Sequence, residues 1–201
     1  MFGRLFSATG MALCLTGIGL PDSADGPCDR PLYFAEGETA VEFDLDCDGT
    51  QDQVRVEVAP DLSGVTRRWL ALRGSRVEIP LEASVEIIGV ADLDGDARDD
   101  VLLLGTSPGV AAPAVILSTA SGGTAARFSS PEIARSANLV FHEDVYSDCP
   151  SIIRSARFIQ TSSGLGLLLP SGYEEEVTCE TPLPLSVFMV SGGTLVLLPD
   201  P

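Results

Sequence analysis

The chain has 201 residues, of which 45% are hydrophobic, and it carries a formal net charge of −17 at pH 7. This length and apolar content suit one domain with a sizeable core. The acidic balance argues against a nucleic-acid partner, because such partners are bound largely by Lys and Arg contacts to phosphate. Cations or basic partners are the natural counterparts. All 12 Lys and Arg residues are arginines, which excludes lysine-based covalent catalysis and a phosphate-loop lysine.

Residues 1–19 are predicted to be a signal peptide, and residues 20–201 a single domain. Arg4 supplies a positive charge, and Leu5–Leu20 is apolar but glycine-rich and ends at Pro21. The stretch is too short for a comfortable membrane span, which needs about 20 apolar residues. Cleavage after Gly19 would leave a mature chain without a membrane span, secreted or held in the periplasm or cell envelope. Lipidation at Cys14 and an uncleaved anchor are the alternatives.

Four cysteines remain after the signal peptide, namely Cys28, Cys47, Cys149 and Cys179. An even number in an exported chain indicates two disulfides, for which three pairings are possible. Pairing of sequence neighbours, Cys28 with Cys47 and Cys149 with Cys179, is preferred. A zinc site fits poorly, because no two of these cysteines have ligand spacing and His142 is the one histidine.

Short β-strands are predicted along the rest of the chain. Alternating or wholly apolar runs of strand length occur at Val54–Val58, Val77–Leu81, Val85–Val90, Val101–Leu104, Ala114–Leu117, Leu167–Leu169, Leu185–Val190 and Thr194–Leu198. Pro80 restricts the second run to an edge or a strand end. Gly-Gly pairs within Ser121–Thr124 and Ser191–Thr194 predict tight hairpin turns. The one helix expected is a short one, Pro131–Ala137, capped by Ser130. The predicted fold is all-β, with short antiparallel strands in hairpins.

An acidic motif occurs twice. Phe43–Val54 reads FDLDCDGTQDQV and Ala91–Leu102 reads ADLDGDARDDVL, so their aspartates superimpose at an interval of 48 residues. An interval of this size is typical of one propeller blade. A third copy would fall near residue 140, where Asp144–Asp148 retains little of the pattern.

Both copies predict a calcium-binding turn. Calcium prefers about six to eight oxygen ligands, and Asp at alternate positions of a tight turn directs several carboxylates at one centre. The ligands predicted for the turn at 44–52 are Asp44, Asp46, Asp48, the carbonyl of Thr50, and Asp52. Those predicted for the turn at 92–100 are Asp92, Asp94, Asp96, the carbonyl of Arg98, and Asp100. Asp99 is expected to point away from the ion.

The physical reason is charge. Four carboxylates held together repel one another, which raises some of their pKa values or opens the turn unless a cation is present. Gly49 and Gly95 allow the sharp bend. An EF-hand is excluded, because position twelve is Arg55 or Leu103 instead of a bidentate glutamate. Ordinary acidic hairpin turns that keep the surface soluble are the alternative reading.

The turn DxDxDGxxD leading into a strand, with VEIIGVA before the second copy, resembles the FG-GAP and VCBS repeats of integrin-type β-propellers. The resemblance covers about twenty residues around each turn. It implies calcium between the strands of a blade, and partner binding on faces built by other loops. Cys47 and Ala97 depart from it, since the family has glycine at both positions. The chain is too short for a closed seven-bladed ring, so an open stack, a truncated relative or an oligomer is expected.

These features predict an exported, non-enzymatic protein with two calcium sites, in which calcium is mainly structural. The alternative is an interaction module that binds an extracellular or envelope protein or glycan when calcium is present. An exported hydrolase that uses an acid pair with the metal ranks third. Among other residues, His142 and Glu174–Glu176 are interpreted as surface groups, and Trp69 as a core or half-buried side chain.

Overall fold

The computed structural model describes residues 31–34, 38–82, 84–107, 109–141, 156–170, 172–177 and 185–198. For β14 (Gly172–Val177), and for Val140 and Phe141, only the backbone is described. Several predictions fall outside these residues and stay predictions: the signal peptide, Cys28, Cys149, Cys179, His142 and the third motif at Asp144–Asp148. Each preferred disulfide pairing includes at least one of these cysteines.

The described residues form sixteen strands and one short helix. In chain order they are β1 (Leu32–Tyr33), β2 (Ala40–Phe43), β3 (Asp52–Pro60), β4 (Thr66–Leu72), β5 (Ser75–Glu78), β6 (Ser84–Ala91), β7 (Asp100–Ser107), β8 (Val110–Thr119), β9 (Gly122–Ala125), β10 (Arg127–Phe128), α1 (Pro131–Ser136), β11 (Leu139–Phe141), β12 (Arg157–Thr161), β13 (Gly164–Pro170), β14 (Gly172–Val177), β15 (Leu185–Ser191) and β16 (Thr194–Leu197). The all-β prediction is confirmed, and each predicted strand except Val77–Leu81 coincides with one of these elements over most of its length.

The strands form three open sheets. One is the four-stranded antiparallel meander β2-β3-β4-β5, and a second has seven strands in the order β1-β6-β7-β8-β11-β14 with β9 also paired to β8. The third has the order β10-β16-β15-β13-β12. Two pairs, β10 with β16 and β11 with β14, are parallel, and the other pairs are antiparallel. Four consecutive strands, β6, β7, β8 and β9, therefore form a second four-stranded meander within the seven-stranded sheet.

The seven-stranded sheet lies between the other two. Val101 and Leu103 of β7 pack with Leu70 and Leu72 of the first meander. Leu102, which points to the opposite face, packs with residues of the third sheet such as Leu167 and Phe188. Successive side chains of a strand point to opposite faces, so a sheet covered on both sides needs an uninterrupted apolar run. This explains why Val101–Leu104 lacks the alternation seen in β3.

The predicted helix is confirmed. Ser130 has extended backbone angles, and its Oγ accepts a hydrogen bond from the N–H of Ile133 at 3.2 Å. Pro131 occupies the first turn, where a missing N–H costs nothing. The helix ends at Ser136, one residue before the predicted end. No described helix is long and apolar enough to span a membrane.

The two Gly-Gly turns have different outcomes. Gly192 and Gly193 form the β15–β16 turn, with φ of 56° and 77°, as predicted. The β8–β9 turn lies two residues earlier than predicted, between Thr119 and Gly122. Gly122 and Gly123 belong to β9 instead. A Cβ on Gly122 would lie 2.0 Å from the Ser75 Oγ atom, so this position requires glycine. These glycines serve close packing between sheets.

Strand β5 is shorter than predicted. It ends at Glu78 instead of extending through Pro80 to Leu81. Proline has no N–H to donate to a neighbouring strand, so the run cannot continue pairing with β4. Trp69 on β4 is half-buried, in agreement with its expected structural role.

Candidate metal centre

The two acidic turns occupy the same place in two meanders. The first joins β2 to β3 and the second joins β6 to β7, which are the first and second strands of their meanders. Phe43 is paired with Asp52 across the base of the first turn, and Ala91 with Asp100 across the base of the second. Since these pairs are also 48 residues apart, the repeat read from the sequence is a repeat in structure.

The aspartate at position one organises each turn. The Asp44 carboxylate accepts hydrogen bonds from the backbone N–H of Asp48 at 3.1 Å and of Gly49 at 2.7 Å. The Asp92 carboxylate accepts equivalent bonds from the N–H groups of Asp96 at 3.1 Å and Ala97 at 3.0 Å, and one from Gly95 at 2.7 Å. These bonds satisfy backbone N–H groups that have no partner strand within the turn.

The left-handed residues also correspond. In the first turn Cys47 has φ 57° and Gly49 has φ 85°. In the second turn Gly95 has φ 81° and Ala97 has φ 65°. Cys47 and Ala97 are the two non-glycine residues among these four. Both therefore have a conformation that costs a non-glycine residue about 1–2 kcal/mol.

The second turn brings together three of its predicted ligands. One carboxylate oxygen from each of Asp92, Asp94 and Asp100 lies within 4.8 Å of the other two. Asp100 is fully buried, and it accepts hydrogen bonds from the N–H of Leu93 at 3.0 Å and of Ser118 at 2.8 Å. Burial, opposed in part by these bonds, raises the pKa of Asp100 to about 8, and burial also raises the pKa of Asp94.

Asp99 lies where the two turns meet. Its side chain is only 1% exposed, and its backbone N–H donates to the carbonyl of Leu45 in the first turn at 2.8 Å. Burial and the nearby carboxylates of Asp92 and Asp44 raise its pKa to about 7. Its Oδ1 atom has no hydrogen-bond partner in the described part of the chain. Asp99 is not among the convergent carboxylates of its own turn, and the expectation that it points away from the ion stays a prediction.

The first turn also brings together three predicted ligands, but a different three. Oxygens of Asp44, Asp46 and Asp48 lie within 4.8 Å of one another. The position-nine residue, Asp52, accepts a hydrogen bond from the N–H of Leu45 at 3.2 Å. Arg73 forms ion pairs with both Asp46 and Asp52. The hydrogen bond from Arg73 holds the pKa of Asp46 below its ordinary value.

The remaining predicted ligands lie at the edge of the clusters. Asp96 is paired with Arg98 at 3.2 Å and is not among the convergent carboxylates of its turn. The backbone N–H groups of Thr50 and Arg98, whose carbonyls are the predicted position-seven ligands, donate to Asp48 and Asp96 at 2.7 and 2.9 Å. Both position-seven residues are thus held inside the turn.

Sequence reasoning missed the roles of Arg73 and Asp99. Arg73 is 21 residues beyond Asp52 and reaches it only because β4 lies beside β3. One signal was available for Asp99, since two consecutive aspartates before an apolar strand must point to opposite faces. With Asp100 facing its own turn, Asp99 faces the neighbouring one.

No family model, curated protein or solved structure matches the chain. The geometry of the turns therefore carries the functional argument.

The donor set fits a hard divalent cation. The converging groups are carboxylate oxygens, which suit calcium, and histidine and thiolate ligands of the kind that zinc prefers are absent from both clusters. Calcium–oxygen distances are about 2.3–2.6 Å, so an ion midway between two oxygens 4.8 Å apart lies within bonding distance of both. Asp92, Asp94 and Asp100 would hold such an ion in the second turn. Backbone carbonyls and water would complete its shell.

Proposed function

We propose that this chain is an exported calcium-binding protein in which the ion mainly stabilises the fold, and that it has no enzymatic activity of its own. One observation carries the proposal. Two acidic turns, 48 residues apart, have the same strand register, the same internal hydrogen bonds and three convergent carboxylates each. A surface turn that served only solubility would need neither the convergence nor the buried Asp99 and Asp100.

A structural role for calcium follows from how the second turn is connected. The Ser118 Oγ on β8 donates to the carbonyl of Asp99 at 2.6 Å, and the N–H of Asp99 donates to Leu45. The second turn is therefore hydrogen-bonded both to the first meander and to β8, the third strand of its own meander. Without a cation, its buried carboxylates repel one another at this junction. A bound ion would convert that repulsion into attraction and strengthen the contact between the meanders.

The architecture proposed around the sites is an open, propeller-like stack of blades related to the FG-GAP and VCBS repeats. Two four-stranded antiparallel meanders packed face to face support it. A disulfide that ties Cys28 to Cys47 belongs to the same proposal. It is supported by Cys47, which is disulfide-bonded. Such a bridge would also suit the exported, oxidising environment proposed for this protein.

Calorimetric titration of the purified, metal-free mature chain with calcium tests the proposal. We expect stoichiometric binding and a higher melting temperature, since a ligand at a hundred times its dissociation constant adds about 2.7 kcal/mol. Asp94→Ala should remove the effect of the second turn and Asp46→Ala that of the first. Glu42→Gln, which removes one exposed charge from β2, is the matched control. A protein that retains no ion and melts unchanged in millimolar calcium would refute the proposal.

A second candidate function is a calcium-dependent interaction module, and a groove favours it. The groove has a volume of about 1110 Å³ and is lined by apolar side chains such as Val77 and Phe128, together with Arg76, Arg127 and Arg135. The groove also contains Glu78, and Arg76 is paired with Glu57, so Arg127 and Arg135 are the arginines that stand out on a chain of net charge −17. They favour an acidic protein or glycan as partner.

Binding to an acidic polysaccharide, measured with calcium and with chelator, tests this second candidate. We expect binding in calcium that weakens on Arg127→Ala, while Arg55→Ala on the first meander leaves it unchanged. Equal or absent binding under all these conditions would remove the support for it.

A further inference from the structure

We infer that the two acidic turns are not equivalent: the Arg73 guanidinium is the built-in cation of the first turn, and the second turn alone takes a divalent ion. This inference rests on the proposed function and refines it. It replaces two calcium sites of equal standing with one calcium site and one internally neutralised turn.

Arg73 occupies an unusual backbone position. It forms, with Gly74, the two-residue turn between the paired residues Leu72 and Ser75, and φ is positive at both turn residues, 50° and 74°. Hairpin turns of this kind prefer Asn, Asp or Gly at the first position, because a larger side chain is strained there. An arginine at this position needs compensation from contacts made elsewhere.

The contacts of Arg73 supply that compensation. Its Nη2 atom is paired with Oδ2 of Asp46, and its Nε lies 3.2 and 3.3 Å from the two oxygens of Asp52. The side chain is only 15% exposed, so water screens these pairs weakly. Asp46 and Asp52 are the predicted ligands at positions three and nine. A calcium ion bound through them would face a guanidinium already in contact with both.

Among the residues that the structure describes, no arginine serves the second turn in this way. The corresponding hairpin turn of the second meander, between Thr119 and Gly122, consists of Ala120 and Ser121. Arg98 is ion-paired with Asp96, which is outside the convergent set of Asp92, Asp94 and Asp100, and its charge acts on Asp94 without forming an ion pair there. The second turn thus has three convergent carboxylates and no paired cation on any of them within the described residues.

Asp99, which is outside the convergent set and lies where the two turns meet, adds a separate observation. It is 99% buried, lies beside Asp92, and its Oδ1 atom is without a hydrogen-bond partner in the described structure. A buried carboxylate oxygen without a partner is costly, and a bound cation or an ordered water would satisfy it. In the first turn the comparable oxygen, Asp46 Oδ1, belongs to a carboxylate that Arg73 already neutralises.

The inference is tested by stoichiometry. We expect metal-free wild-type protein to bind one calcium ion in calorimetry, and one terbium ion in luminescence titration. Arg73→Asn removes the charge and places a preferred residue in the turn, so it should fold and bind two ions. Loss of the contacting positive charge should lower the calcium dissociation constant of the first turn by about a hundredfold or more. Arg73→Lys, which keeps the charge, should remain at one ion.

Two controls assign each ion to its turn. Asp94→Asn should abolish binding in the wild-type background and leave one ion in the Arg73→Asn background. Arg76→Asn, which removes an exposed arginine from the adjacent strand, should leave one ion bound. Two equivalent ions on the wild type, or a folded Arg73→Asn that still binds one, would overturn this inference while the calcium proposal survives. Absence of any bound ion in every variant would overturn the calcium proposal itself.

Discussion

The metal-free protein should lose stability as the pH rises from about 4 to about 8. Asp100 and Asp99 are buried in the second turn, and their folded-state pKa values are raised from 3.8 to about 8 and about 7. A carboxyl whose pKa is raised by folding stabilises the folded state at low pH. This stabilisation is complete below the unfolded pKa and is lost as the pH rises through the folded pKa.

The size of this stability loss follows from the pKa values. One pKa unit corresponds to about 1.36 kcal/mol, which sets a ceiling of about 6 kcal/mol for Asp100. Both carboxyls interact with Asp92, so their contributions do not add. We expect a loss of about 3–5 kcal/mol in the free energy of unfolding between pH 5 and pH 8.5. By contrast, Asp46 and Glu57 have lowered pKa values, so their stabilisation is lost only in more acidic solution.

Urea unfolding at several pH values, in metal-free buffer with a chelator, measures the slope of the free energy of unfolding against pH. Asp100→Asn removes the titrating group with little change in shape and should flatten much of the slope, whereas Glu42→Gln should leave it unchanged. Saturating calcium should restore stability at pH 8, because the ion binds the ionised carboxylates. A metal-free protein whose stability is constant or rises between pH 5 and pH 8 would refute the electrostatic reasoning.

Two further predictions concern backbone strain and packing. Ala97→Gly should raise stability by about 0.5–1 kcal/mol, because it relieves a left-handed alanine at φ 65°. The reciprocal change at the matching position of the first turn, Gly49→Ala, should lower stability by about 1 kcal/mol. Thermal melts that show the opposite signs would contradict this account. Leu103→Ala removes a fully buried side chain from the central sheet and should cost about 2–5 kcal/mol in denaturant unfolding. Its calcium stoichiometry should stay that of the wild type, and a lost ion would show that the site depends on this packing.

The elements that the sequence predicted well are those governed by local chemistry. The Ser130 cap, the Gly192–Gly193 turn and the strand alternation of β3 depend on residues close in sequence. The 48-residue repeat is local in the same sense, because each turn is formed by its own hydrogen bonds. Tertiary packing determined the exceptions, such as Gly122, which serves contact with Ser75 instead of forming the turn.

The sequence by itself determined that the chain is acidic, built of short strands, and equipped with two aspartate turns of matching pattern. Only the tertiary structure decided that these turns differ. Arg73 and Asp99 reach their partners across neighbouring strands and meanders, at separations that no local pattern encodes. The physical reason is that a carboxylate's charge state depends on every group packed around it, and those groups are brought together by sheet pairing and core burial.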